Sequence, residues 1–575
     1  MHLNDALTRS NALTPVFCHH EQACAMAAES YTRLSGRMAA LNVTTGPGAI
    51  NALNGVFGAY VDSVAMIVIS GQVKRETMVR STGLPLRQLG DQEADICSMA
   101  KPVCKYTVLL TRAEDVRYEL EKALWLAEHG RPGPVWIDVP GDIQGAQIDP
   151  DTLRSYVPPH DNAIPSADAL EDTANNAIEK LRAAKRPVVI AGTGVRIAGA
   201  ADDFLQLLAT LKIPAVSVFN AQDIVATDNP SYVGRQGTIG DRAGNFAVQN
   251  ADFLLILGSR MVIRQVSYNW KSFARHAYKV MVDIDAAELS KPTLSIDMPV
   301  EADVKAFIQA LNNALTSYKT PQAHTEYLEW CRKRTMRYPA LLPEYRDADK
   351  PINPYVFCAD LFEQLNAKDV VVTADATAAI VPFQVGRIRQ GQRVFSNAGC
   401  ASMGYDLPAA IGAYYADNGQ RIICLAGDGS IMMNLQELQT IAGNKIPVKI
   451  FILNNRGYHS ITQTQKAYFP DNVSGCGPDS GVTFPDFIRV VQAFGIPARR
   501  CMHLSELNES ITWALDSEGP ACCEIMLDSS QPFAPKLASR RLEDGTMISA
   551  ALEDMAPFLS REELAESLLI PAYDQ

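Results

Sequence analysis

Two short polar segments, each placed directly after an apolar run of strand length, constrain the fold of this chain more than any other feature. Arg421–Ala426 leads into the Gly-Asp-Gly-Ser run at 427–430, and Val448–Leu453 leads into Asn454-Asn455, with helical spacing of apolar residues between them. A right-handed crossover makes two such strands parallel. Both polar segments are therefore expected at the same carboxyl edge of a doubly wound α/β sheet.

The residue types in these segments suit a metal-bridged phosphate group. The Asp428 carboxylate, the Asn455 amide oxygen and a nearby backbone carbonyl are ligands for a hard cation such as Mg²⁺, which keeps positions open for phosphate oxygens. Ser430 is expected to cap the next helix, whose first amides, beside Gly427 and Gly429, would face a diphosphate. Each segment alone is typical of a turn or loop. Together, at two strand ends, they indicate an anchoring site.

The spacing resembles the thiamine diphosphate signature, in which Gly-Asp-Gly is followed after about two dozen residues by Asn-Asn. Further segments resemble the acetolactate (acetohydroxyacid) synthase large-subunit branch of these enzymes over nearly the whole chain. The resemblance implies a thiamine diphosphate- and Mg²⁺-dependent transferase built from three doubly wound parallel-sheet domains. Asp428, Asn455 and the backbone carbonyl of Gly457 carry over as the metal ligands.

Length, charge and cysteine content are consistent with a multidomain globular enzyme. A chain of 575 residues is too long for one core and indicates three domains. A net charge of −12 without a basic cluster argues against nucleic acid and membrane surfaces as partners. The 12 cysteines form no Cys-x-x-Cys pair, which favours free thiols in a reducing cytoplasm over zinc or disulfides.

Strand-like and helix-like segments alternate along the chain in three blocks. The clearest strand segments of the first two blocks are Met38–Thr44, Val64–Ser70, Pro134–Val139, Pro187–Ala191, Phe253–Leu257 and Val280–Ile284. We expect a pyrimidine-binding domain at 1–150, a linker at 151–175, a central domain at 176–320, a connector at 321–350, a diphosphate-binding domain at 351–530 and a C-terminal tail or lid at 531–575.

Glu21 is the candidate for the carboxylate that activates the cofactor at its aminopyrimidine ring. It precedes the amphipathic helix Ala23–Leu34, which Gly36 closes. A first-turn carboxylate that stabilises the helix dipole is the alternative role. The run His20-Glu21-Gln22 resembles the glutamate segment of the family, and this resemblance favours the catalytic role.

The segment Thr44–Asn51 resembles the Thr-Ser-Gly-Pro-Gly-x-x-Asn turn of the family. In that turn the residues matching Pro47 and Asn51 approach the pyrimidine. A tight strand-to-helix turn also requires glycine for its dihedral angles, and the two explanations are compatible.

A third cofactor segment, Asn397–Leu407, precedes the helix expected at Pro408–Tyr415. Its resemblance to the family implies that Met403 wedges under the bent cofactor, although a methionine is otherwise a common core residue. The segment departs from the family at three positions, Cys400, Ala401 and Asp406. In the enzymes that this chain resembles, the activating glutamate and the metal-binding aspartate come from different subunits, so a homodimer or homotetramer is implied.

The blocks Gly71–Val73, Gln92–Asp95 and Gly130–Pro134 resemble successive parts of acetolactate synthase. By that resemblance a small-molecule 2-oxoacid, pyruvate, is the donor, and its two-carbon unit is transferred to a second carbonyl compound after loss of CO₂. Gln92 is a candidate for hydrogen bonding the reacting oxygen, and an ordinary surface glutamine is the alternative.

The expected acceptor pocket departs from the family. Asp91 replaces a phenylalanine, and Thr464 replaces the tryptophan that selects a 2-oxoacid acceptor. Threonine at that place makes the pocket wider and more polar. A larger acceptor, such as a nucleotide-linked keto sugar, is therefore a second hypothesis. A catalytically inactive relative that retains the fold is a third.

The central domain resembles the flavin-binding domain of the synthase. Ala191–Gly194, Arg235–Thr238 and Gly258–Arg260 match it, whereas Arg260–Arg264 departs from the family's Arg-Phe-Asp-Asp-Arg. Many thiamine diphosphate enzymes keep this domain without flavin, so FAD binding and its absence both stay open.

Family members have a helix, a strand and a Gly-rich turn ahead of the segment that matches Met1–Leu13. The first strand of the pyrimidine-binding domain is therefore expected upstream of this sequence, and without it two neighbouring strands would have unpaired edges. We expect that adding roughly thirty upstream residues raises soluble yield and activity, and equal behaviour of both lengths would refute this.

Overall fold

Three parallel sheets, each flanked by helices, follow one another along the chain. The computed structural model describes residues 2–159, 165–416, 419–541 and 547–573. The three sheets correspond to the three predicted blocks, and the prediction of three doubly wound parallel-sheet domains is confirmed. None of the described helices combines the length and the apolar content needed to cross a bilayer.

The first sheet has four parallel strands in the order β1-β2-β4-β3. They are β1 (Ala39–Val43), β2 (Met66–Gln72), β3 (Tyr106–Leu109) and β4 (Pro134–Pro140). The helices are α1 (His2–Arg9), α2 (Glu21–Ser35), α3 (Pro47–Val61), α4 (Val79–Thr82), α5 (Ile96–Ala100), α6 (Val116–Glu128) and α7 (Gly141–Gln144). The strand segments predicted at 38–44, 64–70 and 134–139 coincide with β1, β2 and β4. β4 is buried along its whole length, as expected for a strand covered on both faces.

The second sheet has the order β10-β9-β8-β5-β6-β7. Its strands are β5 (Pro187–Ala191), β6 (Ala215–Ser217), β7 (Tyr232–Arg235), β8 (Phe253–Leu257), β9 (Tyr278–Asp283) and β10 (Met298–Glu301). Its helices are α8 (Ala167–Ala183), α9 (Thr193–Ile197), α10 (Ala201–Leu211), α11 (Arg242–Gln249), α12 (Ile263–Val266), α13 (Ala286–Ser290) and α14 (Val304–Ala314). β6 and β8 lie on opposite sides of β5, which is the strand order of doubly wound nucleotide-binding sheets.

Two segments expected as connections contribute to the core of the central domain. Helix α8 begins at Ala167, inside the range 151–175, and buries its apolar face against the sheet. Helix α15 (Gln322–Arg337) occupies much of the range 321–350 and buries Tyr327 and Leu328 in the same core.

The third sheet has the order β12-β11-β13-β14-β16-β15. Its strands are β11 (Val370–Thr373), β12 (Arg393–Phe395), β13 (Ile422–Gly427), β14 (Lys449–Asn454), β15 (Ala498–Cys501) and β16 (Ala521–Met526). Its helices are α16 (Pro354–Gln364), α17 (Thr377–Val385), α18 (Asp406–Ala416), α19 (Asp428–Ile431), α20 (Glu437–Gly443), α21 (His459–Tyr468), α22 (Phe487–Ala493) and α23 (Leu507–Asp516).

The helical pattern between the two polar segments forms two short helices, α19 and α20, rather than one. Asn434 lies in the turn between them and is fully buried. The side-chain amide of Asn434 donates to the carbonyl oxygen of Gly404 at 2.7 Å. The backbone carbonyl of Asn434 accepts from the N–H of Glu437. This contact with a distant segment replaces the continuous helix that the local pattern predicts.

Helix α2 joins the first domain to the third. His20 caps its start by accepting from the N–H of Gln22 at 3.0 Å, and Gly36 closes it with a φ of 68°. The helix packs between α3 and α18, and the Ser30 hydroxyl donates to the carbonyl oxygen of Ala409 at 2.7 Å. Helix α2, whose first turn carries Glu21, is thereby attached to the third domain.

The C-terminal segment continues with β17 (Ser539–Arg541), β18 (Met547–Ser549) and α24 (Arg561–Glu566). Much of it packs on the central domain. Leu552 is fully buried in the core of that domain, and Glu553 accepts from Arg275 at 2.8 Å. The N–H of Leu537 donates to the carbonyl oxygen of Thr238 at 2.7 Å.

Candidate functional site

Asp428 and Asn455 lie at the ends of two adjacent parallel strands. β13 and β14 pair in parallel, with Gly427 opposite Leu453. Asp428 follows the first strand and Asn455 follows the second, so both reach the carboxyl edge of the sheet, as the sequence pattern predicts.

The backbone after β14 folds onto the Asp428 carboxylate. One carboxylate oxygen accepts from the N–H of Gly457 and the other from the N–H of Gly429, both at 2.8 Å. Gly457 has a φ of 142°, and a Cβ there would lie 2.1 Å from the carbonyl oxygen of Cys476. Only glycine fits this position, so the loop that presents Gly457 to Asp428 depends on it.

Asn455 presents an unused oxygen at this edge. Its amide nitrogen donates to the hydroxyl of Thr377 at 3.0 Å, which fixes the orientation of the amide. The amide oxygen is buried and accepts no hydrogen bond within the described residues. A buried acceptor without a partner costs about 1–3 kcal/mol, so an oxygen-seeking cation fits the position.

The buried environment of the Asp428 carboxyl group also suits a cation. Burial raises its pKa to about 7, the backbone donors at Gly457 and Gly429 oppose that rise, and the neighbouring Glu524 adds to it. A divalent cation beside the carboxylate favours the ionised form. Among the described residues no three His, Cys, Asp or Glu side chains converge as ligands, so a cation here relies on amide and carbonyl oxygens as well as Asp428.

Ser430 does not cap α19, and the prediction that it does is wrong. The N-cap residue is Gly427, and Ser430 lies inside the helix. Its hydroxyl donates to the buried carboxyl of Asp406 at 2.6 Å and accepts from the N–H of Gly404 at 2.8 Å. The hydroxyl is therefore used to hold the segment that contains Met403, a partly buried residue, beside the Gly-Asp-Gly turn.

The ring of Tyr458 leaves no space for a side chain at position 429. A Cβ at this position would lie 2.3 Å from the Tyr458 ring. The close approach of Tyr458 to the turn after β13 therefore explains the second glycine of the motif in physical terms.

Glu21 forms a second cluster in the first domain. Its carboxylate accepts from the amide of Asn51 at 3.1 Å. A Cβ at Gly48 would lie 2.9 Å from the same carboxylate, so this glycine leaves room for it. Pro47 opens α3 on the same side, and both Pro47 and Asn51 are exposed. The predicted pyrimidine-side residues are thus adjacent in space.

A fully buried carboxylate of the third domain supports the Glu21 turn. Glu437 accepts from the N–H of His19 at 3.1 Å and from the N–H of His20 at 3.1 Å. The Thr440 hydroxyl donates to its other oxygen at 2.6 Å. The residue directly before Glu21 is therefore held by α20, which follows the Gly-Asp-Gly turn.

The remaining predicted residues lie at the surface. Asp91 and Gln92 are exposed, and Gln92 has a φ of 60°. The carbonyl oxygen of Gln92 packs against Gly46, directly before Pro47, so its backbone borders the Glu21 cluster. Thr464 is exposed on α21, and its hydroxyl donates to the carbonyl oxygen of Ser460 within the same helix.

Family models match all three domains. The model described as thiamine pyrophosphate enzyme, N-terminal TPP binding domain, matches residues 1–99, the central-domain model matches 174–311, and the C-terminal TPP binding domain model matches 377–525. The chain belongs to the thiamine pyrophosphate enzyme family. Thiamine pyrophosphate is another name for thiamine diphosphate, so the predicted family is confirmed.

Curated relatives of this family member span most of its length. A probable acetolactate synthase large subunit of Methanocaldococcus jannaschii is 31% identical over 92% of this chain and 88% of its own. The acetolactate synthase isozyme 2 large subunit of Escherichia coli is 30% identical over 91% of both chains. The chloroplastic acetolactate synthase 1 of Oryza sativa is 30% identical over 94% of this chain and 82% of its own.

In this thiamine pyrophosphate enzyme, two of the segments that resemble a flavin site lie against each other. A Cβ at Gly192 would lie 2.2 Å from the carbonyl oxygen of Gly258, so the two glycine loops touch. Flavin binding stays a prediction, and no catalytic step is assigned to a flavin.

Three supporting residues of the site were not identified from the sequence. Thr377 was identifiable in principle, because it follows β11 at the same sheet edge as Asp428. The sequence marks Asp406 only as a departure from the family. The role of Glu437 depends on how two domains dock, and no local pattern indicates it.

Proposed function

We propose that this protein is a thiamine diphosphate-dependent carboligase of the acetolactate synthase type. It decarboxylates pyruvate and transfers the two-carbon unit to a second carbonyl compound. The observation that carries the proposal is the unused Asn455 oxygen beside Asp428, at the strand ends where a metal-bridged diphosphate would bind. The acetolactate synthase relatives, which match over almost the whole chain, support the same reaction class.

Mg²⁺ is the cation that fits the diphosphate end best. Asp428, the Asn455 amide oxygen and the Gly457 carbonyl supply hard oxygen ligands. The Gly457 carbonyl already accepts from the N–H of His459 at 2.9 Å, and its second lone pair stays free. Gly427, Gly429 and Ser430 shape the turn that would approach the diphosphate.

Thiamine diphosphate, when bound, supplies the nucleophilic carbon and the electron sink for decarboxylation. Glu21 would hold and exchange a proton at the aminopyrimidine ring, and Asn51 orients its carboxylate at 3.1 Å. Pro47 and Met403 would contact the ring and the bend of the cofactor. Gln92 is the proposed hydrogen-bond donor to the reacting oxygen of the substrate.

The two clusters point to a homo-oligomer. Within the described residues no hydrogen bond joins the Glu21–Asn51 pair to Asp428 or Asn455. Glu21 is only partly buried, and the α3 face beside it is exposed. We propose a homodimer or homotetramer in which a second copy covers Glu21 and excludes water from it.

A larger acceptor remains a second candidate, and the surroundings of Thr464 favour it. The hydroxyl of Thr464 turns back to its own helix and the side chain is exposed, so the wall that a tryptophan would form is missing. Flavin stays a prediction that the absorbance spectrum of the purified protein tests. The twelve free cysteines support a reducing, cytoplasmic location.

The reaction is tested by supplying pyruvate, thiamine diphosphate and Mg²⁺. Formation of acetolactate supports the proposal. Release of CO₂ with a product only after a keto sugar is added supports the larger acceptor. The absence of CO₂ release in every mixture would contradict both and leave an inactive relative.

Cofactor binding is tested separately by calorimetry. We expect Asp428→Ala and Asn455→Ala to abolish Mg²⁺-dependent uptake of thiamine diphosphate. Glu21→Gln is expected to retain much of the uptake but to lose turnover by roughly 10²–10⁴-fold, the usual contribution of a general acid or base. Uptake by Asp428→Ala equal to that of the unchanged protein would refute the metal site.

A further inference from the structure

A cavity of about 290 Å³ lies where the three domains meet, at a place separate from Asp428 and Glu21. Its walls come from the end of α2 and the start of β2 in the first domain, from α9 and the segment after β6 in the central domain, and from β12 in the third domain. Exposed Glu128 and Ile197 line it, so it opens to solvent there. Its size is near the lower end of pockets that hold small organic ligands.

One arginine from each domain reaches this cavity: Arg33, Arg196 and Arg393. Arg196 lies 3.3 Å and Arg393 2.9 Å from the same carboxylate, that of Asp223. The guanidinium groups of Arg33 and Arg393 each lie 5.9 Å from the centre of the Phe395 ring. The three guanidinium groups therefore converge on one wall.

The carboxylates are distributed unevenly among the three arginines. Arg33 pairs with both Glu29 and Asp62, whereas Asp223 alone serves both Arg196 and Arg393. The Nε of Arg196 is buried and has no hydrogen-bond partner within the described residues.

Burial lowers the pKa of Arg393, and the like charges of Arg196 and Arg33 act in the same direction, whereas Asp223 opposes them. Two cations that share one carboxylate beside a cavity form a ready site for an anion.

Much of the remaining lining is apolar. It includes Met38, Val64, Ala65, Ile224 and Phe395. A ligand that fits this cavity carries an oxyanion that faces the arginines and an apolar or sugar-like body that contacts the rest of the lining. Arginine binds phosphate and carboxylate groups with paired hydrogen bonds, so both are oxyanions of the required kind.

We propose that this cavity is a binding site for a small organic oxyanion, held by Arg196 and Arg393, that links the three domains. Thr193, in one of the segments that resemble a flavin site, lines the cavity, but none of the residues proposed to hold thiamine diphosphate or Mg²⁺ does. The inference therefore stands whether or not the proposed reaction is correct. A ligand there contacts all three domains at once, so it stabilises their arrangement and raises the melting temperature with concentration.

The test titrates two probes, glycerol 3-phosphate and succinate, into the full-length protein. Saturating thiamine diphosphate and Mg²⁺ are present, so that the diphosphate end of the proposed active site is already filled. We expect saturable heat and a rise in melting temperature with at least one probe. Binding of glycerol 3-phosphate alone identifies a phosphomonoester site, and binding of succinate alone identifies a carboxylate site.

Variants then locate the binding. Arg196→Gln is expected to weaken binding about tenfold or more, and Arg196→Lys, which keeps the charge but not the paired hydrogen bonds, by less. Arg489→Gln removes an exposed arginine elsewhere and should bind as the unchanged protein does. If Arg196→Gln does not fold, Arg196→Lys alone must still weaken binding. No saturable binding of either probe, or unchanged affinity in the Arg196 variants, would overturn the proposal.

Discussion

Glu437 connects the Glu21 turn to the domain that carries Asp428 of the same chain through hydrogen bonds from the backbone. It belongs to α20, which follows the turn that presents Asp428, and its carboxylate accepts from the backbone directly before Glu21. A fully buried carboxylate that receives several donors contributes more than a surface group of the same charge. The position of Glu21 therefore depends on a residue of another domain.

We expect Glu437→Gln to unfold at lower urea concentration, with a loss of about 1–3 kcal/mol, because one acceptor oxygen becomes an amide donor. Turnover at saturating cofactor should also fall, because the Glu21 turn loses its support. Glu518→Gln, an exposed position, is the matched control. A Glu437→Gln protein as stable and active as this control would contradict the assigned role.

Asp406 gives the protein a pH-dependent stability. Burial raises its pKa from 3.8 to about 6, although Ser430 and the N–H of Leu407 donate to the carboxylate. Because the folded-state pKa is the higher one, its stabilising contribution is complete below about pH 3.8 and is lost as the pH rises through about 6.

Relative to Asp406→Asn, the unchanged protein should therefore lose about 1 kcal/mol of stability between pH 5 and pH 7. Urea unfolding at both pH values measures this difference. Asp228→Asn, at an exposed aspartate, is the matched control. The same result for both variants would show that Asp406 does not titrate in this range.

At the scale of elements, the contact of α2 with α18 sets how the first and third domains meet. A Cβ at Gly412 would lie 2.0 Å from the carbonyl oxygen of Ala27, so the helix backbones touch at this point. On the other side of α2, a Cβ at Gly55 of α3 would lie 2.5 Å from the Ala25 side chain. Glycine on both neighbours lets three helices pack more closely than larger residues would allow.

Gly412→Ala is expected to destabilise the protein by about 3 kcal/mol, because backbone atoms must move apart to admit the methyl group. Gly443→Ala lies at the exposed end of α20 and meets only a side-chain nitrogen at 3.7 Å. That control should be neutral or gain up to about 1 kcal/mol. Thermal unfolding compares the two, and equal melting temperatures would refute the tight crossing.

The elements that the sequence predicts correctly are those that depend on patterns of residues close together in the chain. Apolar runs ending in Gly-Asp-Gly and Asn-Asn predict β13 and β14 and the meeting of Asp428 with Asn455, because strand direction alone places them. The break between α19 and α20 depends on Asn434 reaching Gly404, far away in sequence. The contacts of Ser430 with Asp406 and of Glu437 with His19 and His20 are equally non-local. The contacts of Asn434 and Ser430 depend on the tertiary packing of the third domain, and those of Glu437 depend on domain docking. Periodicity in the sequence predicts neither.

At the scale of the whole molecule, an exposed apolar face adjoins the Glu21 cluster. Ile50, Phe57 and Tyr60 of α3 are 43%, 39% and 38% exposed. Ile50 is next to Asn51, which binds Glu21. An apolar face beside a half-covered carboxylate is the surface that a second copy would bury.

We expect the purified protein to sediment as a dimer or tetramer and Phe57→Asp to shift it towards the monomer, because a charge placed in an apolar interface loses its hydration. Uptake of thiamine diphosphate should fall in parallel, since the second copy completes the site around Glu21. Met336→Asp changes an exposed apolar residue on α15 and should alter neither property. Analytical ultracentrifugation measures the oligomeric state, and calorimetry on the same samples measures the uptake of thiamine diphosphate. A Phe57→Asp protein that keeps both its mass and its cofactor affinity would show that α3 is not the interface, and a monomer that binds the cofactor fully would show that one chain suffices.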